Sequence, residues 1–219
     1  MHLPPLIVKG EVLKNVSHTK FLGINIDKNL NWCHHINEVY LKLSRICGIL
    51  YKVRNNLTLG AMLSIYYTLC YPHLVYCVSV WACTWPSFIH KLKIAQNKIL
   101  RCIFHLGKFD STHNIFRDHH LLNFYSIHKC FLLLSIFKNI TYRHRTPVFK
   151  LSDATHCTRS NNNIICPRYR TTPFKHSMFY AGPQLWNSLP PNIRTLHHSA
   201  SFLLFKKTIK DYLFTLQNQ

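Results

Sequence analysis

Acidic residues are scarce in this sequence. Seven Asp and Glu stand against 27 Lys and Arg, a formal net charge of +20 with His neutral. The acids are Glu11, Asp27, Glu38, Asp110, Asp118, Asp153 and Asp211; no two are adjacent, and none sits in an apolar hairpin turn. Two-metal chemistry needs closely clustered carboxylates, so no catalytic residue and no metal-binding set is expected. Zinc spacing is missing as well. The nine cysteines contain no CxxC pair. The doublets His34-His35, His119-His120 and His197-His198 point adjacent side chains in diverging helix directions, which suits surface positions. His156-Cys157 with Cys166 comes nearest to a zinc knuckle and falls short of one. GxSxG, P-loop and GxGxxG patterns are absent, and no cofactor or small-molecule substrate is expected. MHLPPLIVKGE lacks the basic region and long apolar run of a signal peptide. Most cysteines fall in apolar helical patterns, where a free thiol behaves as a small hydrophobe rather than as part of a secreted disulfide framework. An intracellular location, nuclear or cytoplasmic, is the expectation.

What is present is positive charge and apolar periodicity. Hydrophobic residues make up 47% of the 219 positions, enough to build a core and to exclude global disorder. An excess of charge this large attracts polyanions, of which nucleic acid and acidic membrane surfaces are the usual ones.

The chain opens with a small β element. Leu6-Ile7-Val8 reads as a strand, Lys9-Gly10-Glu11 as a turn and Val12-Leu13 as the return. Ser17 to Lys20 reads as a polar link into a second strand, in which Leu22, Ile24 and Ile26 share an apolar face at period two. Gly23 between bulky neighbours marks a bulge or close approach. Asp27-Lys28-Asn29 breaks the strand. Ile36, Val39, Leu43, Ile46, Leu50 and Val53 then form a helical stripe over 33–54, stopped by Asn55-Asn56. Thr58 is placed to cap the next helix. Residues 59–83 carry no Asp, Glu, Lys or Arg; Pro72 and the interspersed Tyr, Ser and Thr favour a buried, Pro-kinked helix pair. Trp85-Pro86 opens a helix with Ile89, Leu92, Gln96, Ile99 and Ile103 inward and Gly107 as its stop. Gln96 reads as a satisfied amide at the seam. Two helical pieces follow over 110–140, divided near His119-His120. Residues 141–175 read as a basic loop, with Arg143, Arg145, Arg159, Arg168, Arg170, Pro147, Pro167 and Pro173 and a short strand at 163–166. A Gly182-Pro183 turn and an extended corner at Leu189-Pro190-Pro191 lead to a last helix capped by Ser199 or Ser201, with Phe202, Phe205, Ile209 and Leu213 inward. The fold class expected is mainly α: a helical bundle with a small N-terminal β-hairpin and an irregular basic C-terminal segment ending in a helix.

Three runs carry a resemblance. Phe21-Leu22-Gly23 with Trp32 and His35-Ile36, the run from Tyr66 to Trp81 of form YxxLxxPxLxYCxxVW, and the GPxLWNxLPxxIR block at 182–194 behind Arg170-Thr171 occur in this order. So arranged, the chain resembles the reverse transcriptases of jockey-like, non-LTR (LINE) retrotransposons, from the end of the palm through the thumb to the tail. The resemblance implies a palm and primer-grip remnant over 1–32, a thumb-like helical domain over 33–140 and a basic tail over 141–219. It implies that Phe21, Leu22 and Gly23 are primer-grip-like. It also places the paired-Asp box of the palm ahead of the FLG strand, so the chain is expected to start beyond that box and not to polymerise DNA alone.

Charge and helical phase, separately from the resemblance, single out Lys42, Arg45, Lys91, Lys93, Lys98 and Arg101 for contact with phosphates. The partner expected is an RNA or DNA backbone, held without regard to sequence. The rival readings are a membrane-associated basic protein with residues 62–82 inserted, and a pseudogene product with no selected function.

Overall fold

The computed structural model describes residues 7–8, 10–13, 16–142, 149–152, 163–198 and 200–218. Several positions named above lie outside that description: Leu6, Lys9, Arg143, Arg145, Pro147, Asp153, His156, Cys157, Arg159 and Ser199. The architecture is mainly α, with 64% of the described residues helical and two small antiparallel two-stranded sheets near the N-terminus.

The first sheet pairs β1 (Ile7–Val8) with β2 (Glu11–Val12) around Gly10, whose φ of +85° a glycine adopts freely. The second pairs β3 (His18–Phe21) with β4 (Ile24–Asp27). Here the structure corrects the sequence reading. Ser17 to Lys20 supplies most of a strand instead of a link. Leu22 and Gly23 are not strand residues but the two central residues of the hairpin turn, at φ +45° and +81°. Positive φ at both positions is the signature of the tight turn that matches strand twist. Leu22 therefore points away from Ile24 and Ile26 and is 74% exposed.

α1 (Cys33–Val53) follows, its expected stripe inward and Ile36, Val39, Leu43 and Leu50 fully buried. The Thr58 hydroxyl accepts from the Ala61 N–H at 3.3 Å and starts α2 (Leu59–Ile65). The uncharged stretch then breaks into short pieces: a π-helical turn (Tyr66–Cys70), α3 (Tyr71–Val75) and α4 (Val78–Trp81), with Cys77 left-handed at φ +50°. The wide turn directly precedes Pro72, whose ring would otherwise press on the carbonyl four residues back. Among the described residues no helix is long and apolar enough to cross a membrane, which disfavours insertion of 62–82.

α5 (Pro86–Ile103) packs along α1. The two run in the same direction: Lys91 Nζ donates to Asn37 Oδ1 near their starts at 3.4 Å, and Lys98 acts on the Cys47 thiol further along. Gln96 is fully buried. Its amide nitrogen donates to the Tyr66 hydroxyl and to the Leu122 carbonyl, each at 3.0 Å, while its Oε1 has no partner. The left-handed residue after this helix is His105, at φ +53°, rather than Gly107. α6 (His113–Asp118) and α7 (Phe124–Thr141) flank the predicted break, with His120 left-handed between them.

Two apolar cores result, and α7 serves both. Phe124 and Ile127 join the first with α1, α3, α4 and α5. Residues from Cys130 to Phe137 join the second. The second core is completed by residues of α9 (Met178–Asn187), α10 (Pro191–Arg194) and α11 (Phe202–Gln217), with Cys83, Phe149, Ile164 and Leu189. The segment ahead of α9 holds the bridge Leu151↔Ile164 and the short α8 (Thr172–Lys175). Gly182-Pro183 is a second correction: it lies inside α9, not in a turn. A Cβ at Gly182 would sit 3.0 Å from Ile136 Cδ1, so glycine lets α9 lie close against α7. Pro190 is extended (φ −55°, ψ 144°) as expected, and the Ser201 hydroxyl accepts from the Leu204 N–H at 3.3 Å to cap α11.

Candidate nucleic-acid interface

Two of the three resemblance runs meet in space. The Tyr76 hydroxyl, between α3 and α4, donates to the Leu22 carbonyl at 2.7 Å across 54 positions of sequence. Gly23 lies against the same ring. Behind it, the Trp81 indole N–H donates to the Tyr76 carbonyl at 2.7 Å. Trp81 is wholly buried, stacked on Phe124 at 5.9 Å and edge-on to His35 at 5.2 Å. A line of fixed contacts thus runs from the first core to a hairpin tip whose Phe21 and Leu22 side chains remain 62% and 74% exposed. A left-handed leucine is unfavourable by about 1–2 kcal/mol. The bond to Tyr76 helps hold it.

Beside the tip lies a cleft of about 260 Å³ lined by Gly23, His35, Val39, Lys42, Pro72, His73 and Tyr76. One lining residue, Lys42, is tied to Glu38. One Glu38 oxygen accepts from Lys42 at 2.8 Å and Lys20 at 3.3 Å, and the other from the Asn25 amide at 2.6 Å. The hydrogen bond from Lys42, with that from Lys20, holds the Glu38 carboxyl down at about 2, against the opposing effect of burial. Burial lowers the pKa of both His35 and His73, which favours neutral imidazoles at neutral pH. Lys42 thus enters the cleft already paired with a carboxylate.

The other five predicted bases do not form one surface. Lys91 and Lys98 lie on the flank of α5 that borders α1. Arg45 is exposed on α1. Lys93 faces the opposite flank, with its ammonium 5.5 Å from the Tyr125 ring centre. Arg101 donates from Nε to the Asp110 carbonyl at 2.8 Å and so braces the 107–110 loop. Of the histidine doublets, His119 and His120 are exposed as expected, but His35 and His197 are buried.

The fold also brings a buried cysteine against a histidine. Cys83 Sγ lies 3.3 Å from His128 Nε2. Burial pushes the thiol up to about 12 and the imidazole down to about 4, so both are neutral at ordinary pH. That is the reverse of an activated thiolate–imidazolium pair. Tyr76 and His73 were the site residues missed; both sit in the YxxLxxPxLxYCxxVW run, which read as core.

The third resemblance run is built inward. Trp186 is wholly buried against Phe205 and His197. The Asn187 side chain accepts from the Ile164 N–H at 2.8 Å and donates to the Ile164 carbonyl at 2.9 Å. Arg194 donates to Asn163.

Part of the chain is similar to known proteins. Over 119 residues, 52% of this chain, it is 29% identical to the RNA-directed DNA polymerase from mobile element jockey of Drosophila melanogaster. The jockey polymerase of Drosophila funebris is 28% identical over 103 residues, 46% of the chain. The probable RNA-directed DNA polymerase from transposon X-element of D. melanogaster is 25% identical over 118 residues, 52% of the chain. The chain is therefore similar to jockey-like, non-LTR retrotransposon reverse transcriptases over about half its length. The matched stretch spans 13%, 11% and 13% of those three relatives respectively, so the likeness is to a small part of such a protein. No family profile matches the chain, and no solved structure matches it.

Proposed function

We propose that this chain holds the backbone of a template–primer duplex, in the manner of a reverse-transcriptase thumb with part of its primer grip. The observation that carries the reading is the exposed Phe21-Leu22-Gly23 tip, tied to Tyr76 beside a cleft and followed by basic helix flanks. An apolar tip of this kind packs against the sugar and base at a strand end. The bases of α1 and α5, chiefly Arg45, Lys91 and Lys98, neutralise phosphates along the duplex without reading sequence. Residues 1–32, 33–140 and 141–219 act as primer-grip remnant, thumb and tail. Nucleotide addition is not proposed for this chain, because its seven acids include no adjacent pair.

The test is binding of a recessed primer–template against a blunt duplex of the same length and sequence. Phe21→Ala with Leu22→Ala is expected to weaken the recessed substrate selectively and to leave the blunt duplex nearly unchanged. Equal loss on both, or on neither, removes the tip from the interface. Template-dependent incorporation by the rigorously purified chain with Mg²⁺ would overturn the non-catalytic reading.

A further inference from the structure

The junction between β4 and α1 gathers three side chains of mixed chemistry. Ligand atoms of Asp27, Cys33 and His34 all lie within 4.8 Å of one another. Asp27 ends β4. The loop behind it takes two left-handed residues, Leu30 at φ +52° and Trp32 at +62°, and so turns the first residues of α1 back onto the strand end. The loop is fixed from two sides: the Cys33 N–H donates to Asn31 Oδ1 at 3.1 Å, and the Thr84 hydroxyl donates to the Asn31 carbonyl at 2.9 Å.

Asp27 is the telling member. It is only 5% exposed, and neither carboxylate oxygen has a hydrogen-bond partner. A buried carboxylate without compensation is strongly disfavoured. The nearest charge-bearing atom is His34 Nε2, 3.7 Å from Oδ1. A charge-assisted N–H···O bond would be about 2.7–2.9 Å. Two ligand atoms sharing one tetrahedral ion, with bonds of about 2.0–2.3 Å, lie roughly 3.3–3.8 Å apart. The 3.7 Å between His34 Nε2 and Asp27 Oδ1 lies nearer the second arrangement than the first. A thiolate, an imidazole and a carboxylate are also the donors zinc takes, whereas Mg²⁺ and Ca²⁺ prefer oxygen alone.

We propose that Asp27, Cys33 and His34 bind one zinc ion, with the fourth position open to water. His34 is half exposed and gives the ion an entry path. His18, the cross-strand partner of Asp27, stacks on the His34 ring with centroids 4.4 Å apart and fixes its plane. The Cys33 thiol releases its proton to solvent as the S–Zn bond forms, so affinity rises with pH. The ion cross-links the base of the β3–β4 hairpin to the start of α1, at the end of the hairpin away from the Leu22-Gly23 turn. The separation of Asp27 from Cys33-His34 by a five-residue loop is no familiar zinc spacing, which is why the sequence does not announce the site.

Titration of the full chain with Co²⁺ tests this. One equivalent is expected to bind with a thiolate-to-cobalt charge-transfer band that Zn²⁺ abolishes. Cys33→Ser is expected to remove the band, and His34→Gln to weaken binding on the order of 10- to 100-fold, with helical circular dichroism unchanged. In the unmodified chain, Zn²⁺ is expected to slow alkylation of Cys33 selectively, read by peptide mass mapping; this readout does not depend on any variant folding. No band in the wild type, a band that survives Cys33→Ser, or alkylation of Cys33 indifferent to Zn²⁺ overturns the site.

Discussion

The FLG hairpin and the GPxLWN block carry the same family resemblance and are built in opposite ways. At the hairpin, Phe21 and Leu22 face solvent, Leu22 takes a costly left-handed backbone, and one phenol bond from Tyr76 secures the tip. In the tail, Trp186, Leu189 and Ile193 are buried, and the polar members Asn187 and Arg194 are consumed by Ile164 and Asn163. A run that carries a resemblance is therefore not by itself a contact surface. The tail block closes a core, whereas the hairpin keeps apolar groups exposed and strained backbone intact, which core packing does not explain.

That contrast breaks if the two regions respond alike to mutation. The largest effect is expected at Trp186→Ala, which deletes a fully buried indole and should destabilise by about 3–5 kcal/mol in urea or thermal melts. Phe21→Ala should stay within about 0.5 kcal/mol of wild type. Equal losses would mean that the hairpin is structural as well.

Next comes Gly182→Val. The added Cβ meets Ile136 at 3.0 Å, and overpacking of this kind costs about 1–3 kcal/mol. Unchanged stability would show that α9 and α7 do not need this approach.

A smaller effect of opposite sign is expected at Leu22→Gly. Glycine relieves the left-handed strain and should stabilise by about 1 kcal/mol, while weakening primer–template binding. A variant that melts lower, or binds as well as wild type, would contradict the account of the tip.

The smallest effect is on pH. Glu38 has its carboxyl lowered from 4.5 to about 2 by Lys42 and Lys20. Because the folded-state value lies below the unfolded one, the tie stabilises above pH 4.5 and is lost as pH falls from there toward 2. Glu38→Gln should flatten that acid limb slightly in melts taken across this range.

Much of the fold could be read before the structure. The α1 stripe at alternating three and four steps, the break at Asn55-Asn56, and the caps at Thr58 and Ser201 are local signals, and local signals suffice for amphipathic helices. The failures have physical causes. His18–Phe21 has all its residues exposed, so no alternation marked it as a strand. Leucine rarely takes positive φ, so Leu22-Gly23 did not read as a turn. Gly-Pro is turn chemistry in isolation, but Gly182 answers to Ile136, a contact 46 positions away in the chain. The site suffered most from distance: Leu22 and Tyr76, 54 positions apart, are joined only by the fold. Helical phase grouped the α5 bases together, and the neighbouring helices then separated Lys91 and Lys98 from Lys93.

The central claim is that phosphates lie along the α1–α5 flank, and the salt dependence of duplex binding tests it most directly. Log affinity against log salt falls with a slope of about −0.9 per phosphate neutralised. Lys91→Gln with Lys98→Gln should make the slope shallower by about 2. Lys93→Gln, on the opposite flank, should leave it unchanged, with circular dichroism constant throughout. A slope untouched by the double substitution, or reduced only by Lys93→Gln, would place the duplex elsewhere.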